Sequence, residues 1–166
     1  MALAAAFALG TMGVALGTLP GGPPAIPTVL ADVITVNTVN ANAGPIRLST
    51  SASVEVFQVS NRADPGWSAG WHSHTGPVII TLTEGSLTFY QLKRSDDEGE
   101  GDDRNRDGGS SCQVTTVSAP GGFIEPPGQP MQVVNAGTTT AAWITTQIIP
   151  VLASKRVDVS PGFCGV

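Results

Sequence analysis

A chain of 166 residues is long enough for one well-formed hydrophobic core and too short for two domains. With 41% hydrophobic and only 13% charged residues it is not disordered by composition, and a net charge of −5 argues against nucleic-acid binding, which needs basic surface to neutralise phosphates. Twenty Gly and 13 Pro among many Val, Ile and Thr point to a turn-rich, all-β protein.

Residues 1–19 are apolar and rich in Ala, Leu and Gly, and a Gly/Pro stretch leads on to Val29-Leu30-Ala31. This pattern predicts a secretory signal peptide over 1–31, cut after Ala31, and hence a secreted or cell-envelope protein. The alternative is a membrane anchor, for which the many Gly and Thr residues make the run weak, so no membrane span is expected after processing. Residues 32–166 read as a single domain. Candidate strands cover 33–36, 46–48, 54–59, 78–83, 87–92, 113–117, 122–124, 132–134 and 140–150. They are short, β-branched and separated by Gly, Pro, Asn or Asp, as in a sandwich or barrel, and a jelly roll of about eight strands satisfies the pattern.

The two histidines of the chain stand one residue apart in Gly70-Trp71-His72-Ser73-His74-Thr75-Gly76-Pro77. On an extended strand a His-x-His pair points both imidazoles to one face, which makes half of a transition-metal site. Trp71 and Ser73 then face the opposite way. A strand, a tight turn at Glu84-Gly85 and a return strand follow. Trp67, Trp71, Phe89, Tyr90, Phe123 and Trp143 are candidates for core packing or for lining a mouth that takes an apolar or planar ligand.

The hairpin is interrupted by an acidic insertion, 93–111, which holds seven of the 13 acidic residues. Within it Asp103-Arg104-Asn105-Arg106-Asp107-Gly108 matches the opening of a calcium loop, but the twelfth position, where a bidentate Glu belongs, is Val114. The insertion is therefore read as a solvated loop rather than a calcium site. Beyond it lies the corner Glu125-Pro126-Pro127-Gly128-Gln129-Pro130. Cys112 and Cys164 form an even count without Cys-x-x-Cys spacing. Either one disulfide joins them, as export favours, or both are unpaired buried thiols. No Gly-x-Ser-x-Gly elbow, carboxylate pair or phosphate-cradling Gly loop is found.

His72-Ser73-His74, followed at Glu84-Gly85 by the turn, resembles the first motif of the cupin superfamily, and Pro126-Pro127-Gly128 with Asn135 resembles the second. The resemblance implies a single cupin-type jelly-roll barrel, a double-stranded β-helix. In the family a Glu follows the second His by three or four residues, and a third His lies three residues past the Gly. Here those positions hold Pro77 and Val78, and Met131. The resemblance thus implies a reduced metal site of His72 and His74 completed by Met131 or Glu125, with Gln129 and Gln132 as weaker donors. Two imidazoles and a thioether suit copper, whereas a carboxylate from Glu125 suits zinc or iron. The implied function is exported binding of a metal ion or a small molecule in the barrel. Alternatives are a metal-dependent oxidoreductase of the dioxygenase kind, an isomerase, or a metal-free binding or structural module. Many cupins pair through barrel edges, so a homodimer joins the small-molecule ligand among implied partners.

Overall fold

The computed structural model describes residues 26–38, 40–92, 112–160 and 164–166. Most of the expected signal peptide and the whole acidic insertion, calcium-like opening included, lie outside the described residues. Among those residues the chain forms β1 (Ile26–Val36), β2 (Asn40–Ala43), β3 (Ile46–Ser49), β4 (Val54–Ala63), β5 (His72–Ser73) and β6 (Val78–Glu84). It continues with β7 (Ser86–Leu92), β8 (Cys112–Ser118), β9 (Gly121–Glu125), β10 (Met131–Val134), β11 (Ala141–Pro150) and β12 (Val157–Asp158). No helix among the described residues is long and apolar enough to cross a membrane.

Two five-stranded antiparallel sheets carry the fold, ordered β1-β4-β11-β6-β9 and β12-β5-β10-β7-β8, with β2-β3 as a separate hairpin. The alternation in β6 drives their packing. Val78, Ile80 and Leu82 point inward while Ile79, Thr81 and Thr83 point out. Facing them from the second sheet are Leu87, Phe89 and Val133, and these residues share one core with Ala141 and Trp143. Phe89 of β7 and Phe123 of β9 stack across the two sheets at 3.9 Å, and Trp67 lies 5.2 Å from Trp143. The aromatic side chains of these pairs are therefore spent on core packing rather than on a ligand mouth.

The first strand differs from expectation. Instead of 33–36 it begins at Ile26 and pairs with β4 from Ile26↔Arg62 to Val36↔Val54, with irregularities on either side of Ala31. It runs through the expected cleavage position. The short strands β2 and β12 were not expected, because neither carries an alternating apolar pattern long enough to read, and the extended segment expected at the His pair is the two-residue β5.

Asn135 anchors the second motif. Its amide nitrogen donates to Ala63 O and Thr139 O at 3.0 Å each, and its Oδ1 accepts from Gly137 N at 3.1 Å. The cysteines form a disulfide, Cys112–Cys164, with Cα atoms 5.5 Å apart. Cys112 opens β8, one edge of the second sheet, whereas Cys164 follows β12, the opposite edge. The C-terminal tail is thereby fastened across that sheet.

Candidate metal centre

His72 opens, and His74 directly follows, β5, a strand of two residues that holds its place through its neighbours. β10 pairs with it on one side through Met131↔His72, and β12 on the other through Val157↔Ser73 and Asp158↔His72. Beyond His74 the chain presses against β11, where Ile148 N donates to Pro77 O at 3.1 Å. Gly76 makes that approach feasible, because a Cβ there would overlap the Ile148 carbonyl. The turn of the second motif closes on the first, with Gly128 N donating to His74 O at 2.7 Å.

As the two-residue period requires, both imidazoles share a face, with ring centroids 4.9 Å apart and planes at 90°. Each ring is held by a backbone carbonyl. His72 Nδ1 bonds Gly70 O at 2.8 Å, and His74 Nδ1 bonds Lys155 O. A carbonyl only accepts, so each Nδ1 carries hydrogen and each Nε2 is left as the nitrogen free to ligate. Backbone partners of this kind fix tautomer and ring orientation at metal-binding histidines.

Glu125 completes the group. Its Oε2 lies 3.2 Å from His74 Nε2, and the donor atoms of His72, His74 and Glu125 all fall within 4.8 Å of one another. The three residues are 3%, 7% and 2% exposed, so water is largely excluded. Two imidazoles and one carboxylate, with oriented lone pairs and little bulk water, match the donor chemistry of a divalent transition metal. Ligation uses the deprotonated imidazole nitrogen and the carboxylate, so a cation seated between His74 Nε2 and Glu125 Oε2 would displace any proton the pair shares.

The carboxylate reaches the site by a route that linear spacing does not reveal. Val78, one of the two positions where the resemblance puts a Glu, pairs directly with Glu125 across β6 and β9. Directly opposed residues share a face, so Glu125 supplies from the adjacent strand what Val78 does not. Met131, opposite His72 and 1% exposed, also shares the His72 face. Gln132 turns to the other face and donates to Ser68 Oγ at 2.9 Å, while Gln129 Nε2 donates to Leu92 O at 2.6 Å. Neither glutamine joins the group. Trp71 packs away from the histidines as its parity requires, with Nε1 donating to Val166 O at 3.3 Å.

Several contributors had no signal in the sequence. The segment Ser154–Asp158 supplies the His74 acceptor, Lys155 O, and an acceptor for the Thr75 hydroxyl, Ser154 O, 2.7 Å away. Arg156 donates through Nη2 to Ala69 O at 2.7 Å and through Nε to Asp158 Oδ1 at 2.6 Å. Burial pushes the His72 imidazole down from 6.5 to about 4, the Arg156 guanidinium adds to the fall, and Glu125 opposes it.

No family model and no curated protein matches the sequence. Among solved structures, an uncharacterised conserved protein with a double-stranded β-helix domain from Klebsiella pneumoniae is similar over 86% of this chain and 91% of its own, at 18% identity and a TM-score of 0.50. A cupin domain from Bordetella pertussis is similar over 78% of this chain and 98% of its own, at 18% identity and a TM-score of 0.47. An oxalate oxidase is similar over 63% of this chain at 20% identity and a TM-score of 0.49. The chain spans less than half the length of the oxalate oxidases it matches.

Proposed function

This chain has the double-stranded β-helix fold of the cupin superfamily, and on that premise we propose that it binds a divalent transition-metal ion through His72, His74 and Glu125 and offers it to a small ligand inside the barrel. The observation that carries the reading is the buried convergence of the three donor atoms within 4.8 Å. The nitrogen and oxygen donors favour zinc or iron(II) over the copper that a Met131 thioether would have favoured. Once bound, such an ion supplies Lewis-acid polarisation of an oxygen or nitrogen ligand.

The protein's own part is orientation. Gly70 O and Lys155 O hold the imidazoles, Gly128 N holds the His74 backbone, and the low exposure of the three donors keeps competing water out. Three protein donors fall short of a full coordination shell, which leaves room for the ligand of an oxidoreductase or isomerase. The Cys112–Cys164 disulfide supports work in an oxidising compartment, in keeping with export.

The test is metal analysis of the purified protein beside His72→Ala/His74→Ala and Glu125→Gln, each equilibrated with zinc or iron(II) and desalted. About one ion per chain is expected in the wild type and none in the double variant, and Glu125→Gln should retain the ion at least about tenfold more weakly. Wild-type protein that takes up neither ion would refute the reading.

A further inference from the structure

Gln147 of β11 lies directly opposite Val78 of β6 on one side and Phe57 of β4 on the other. Val78 in turn lies opposite Glu125. Opposed residues share a face, so Glu125, Val78, Gln147 and Phe57 form one inward row across four strands. The row returns to the histidines. The Lys155 ammonium sits 4.3 Å from the centre of the Phe57 ring, Lys155 O holds His74 Nδ1, and His74 Nε2 lies 3.2 Å from Glu125. Glu125, Val78, Gln147, Phe57, Lys155 and His74 thus close a circuit, with the candidate metal donors on one side and Gln147 on the other.

Gln147 Oε1 is buried and has no hydrogen-bond partner among the described residues. Its inward neighbour Thr145 does have one, since Asn61 Nδ2 donates to Thr145 Oγ1 at 3.1 Å. A buried acceptor without a donor destabilises the fold, and such a group in a folded protein calls for an explanation. We propose that Gln147 Oε1 accepts a hydrogen bond from an O–H or N–H of a small polar ligand whose other end coordinates the ion. This rests on the metal reading above.

The surroundings limit the ligand's class. Strands stand about 4.8 Å apart, so Glu125 and Gln147 are roughly 10 Å apart along the row with Val78 between them, and a ligand that reaches from the ion to Gln147 is one of a few non-hydrogen atoms. Lys155 is an exposed residue, and its ammonium over the Phe57 ring places positive charge at the end of the row. An apolar planar ligand finds little to stack on, because the Trp67–Trp143 and Phe89–Phe123 pairs are already engaged with each other.

The experiment loads wild type and Gln147→Leu with cobalt(II), whose visible spectrum reports its ligands, and titrates each with acetohydroxamate and with azide. Acetohydroxamate keeps an N–H donor when its oxygens chelate, whereas azide has none. Gln147→Met, closer in shape to glutamine, is carried alongside in case the Leu variant fails to fold. Expected are equal cobalt uptake, azide binding within about twofold of wild type, and acetohydroxamate binding weakened about tenfold. The metal-free variant should melt about 2–4 °C higher than wild type, because the unpaired oxygen is gone. Equal loss or equal retention of both probes overturns the assignment, as does a lower melting temperature, which would mean the amide is satisfied within the protein. Absence of cobalt uptake in the wild type would sink the metal reading and the ligand assignment with it. The melting temperature would then still report separately on whether the oxygen is unpaired.

Discussion

Acidifying the metal-free protein should destabilise it through His72 alone by an amount that follows from its surroundings. The imidazole is 3% exposed, and burial first, with the positive charge of Arg156 second, lowers its pKa to about 4 from 6.5 in the folded state. Between those values the unfolded chain binds a proton that the folded chain refuses, so the free energy of unfolding falls as the pH falls. The contribution is whole above about pH 6.5, declines through the window, and stops declining near pH 4, where the folded state accepts the proton too. A shift of this size corresponds to about 3 kcal/mol at 1.36 kcal/mol per unit, a large share of a domain's usual 5–15 kcal/mol. The assay is urea unfolding of chelator-stripped wild type and His72→Gln at intervals from pH 7 to pH 4, followed by tryptophan fluorescence. Wild type should lose about 3 kcal/mol more than the variant across that range. Parallel profiles would refute the reasoning and mean that the ring is hydrated or otherwise compensated when charged.

Removing the disulfide by Cys164→Ser frees a 52-residue separation, which the chain-entropy relation values at about 4 kcal/mol. Denaturant unfolding should show that loss in the variant, and equal midpoints for oxidised and reduced wild type would contradict it. Met131→His places an imidazole on the His72 face and should tighten zinc binding by about tenfold or more, at least 1.4 kcal/mol by competition against a chelator; unchanged affinity would mean that this side chain does not reach the ion. Gly76→Ala drives a methyl group into the Ile148 carbonyl and should cost about 3 kcal/mol in thermal or chemical unfolding, whereas a near-neutral result would show that the Pro77–Ile148 contact can open cheaply.

The parts of the fold legible in the sequence were those with a strong local signal. The alternating Val78, Ile80 and Leu82 and the turn at Gly85, where φ is +68°, predict β6 and β7 to within a residue at each end. The His pair faces one way for the same reason of period. Strands made by tertiary pairing were not legible. Asn40–Ala43 is exposed along its whole length and has no apolar face to display. β5 and β12 each hold two residues, and what keeps them extended is the neighbouring strand rather than their own composition. The start of β1 was masked by the resemblance of Val29-Leu30-Ala31 to a cleavage signal. Pairing of Ile26 to Val29 with β4 means that a cut after Ala31 would detach the first part of a sheet strand. In the site, Lys155 acts through its carbonyl, which every residue type possesses, so nothing in the sequence could single it out.

Glu125 is the instructive case, because linear spacing counts a carboxylate as missing that the fold supplies. A motif on one strand fixes side chains along that strand, while register fixes which residue of the next strand stands beside each of them. Directly opposed residues have Cβ atoms about 5 Å apart, a gap that a glutamate side chain spans. Moving the carboxylate from Val78 to its opposed partner therefore leaves it able to reach the same place. The exchange should work in reverse. Glu125→Val should abolish zinc retention, and Val78→Glu added to it should restore retention to within about tenfold of wild type, a shortfall of at most 1.4 kcal/mol. The two positions are 1% and 2% exposed, so a restored carboxylate would be as screened from water as the original. Zinc content of the three proteins, with circular dichroism to establish that each is folded, decides the matter. A folded double variant that stays empty would mean that the approach from β9 is a requirement of this site in its own right, and the carboxylate would not be interchangeable across the strand pair.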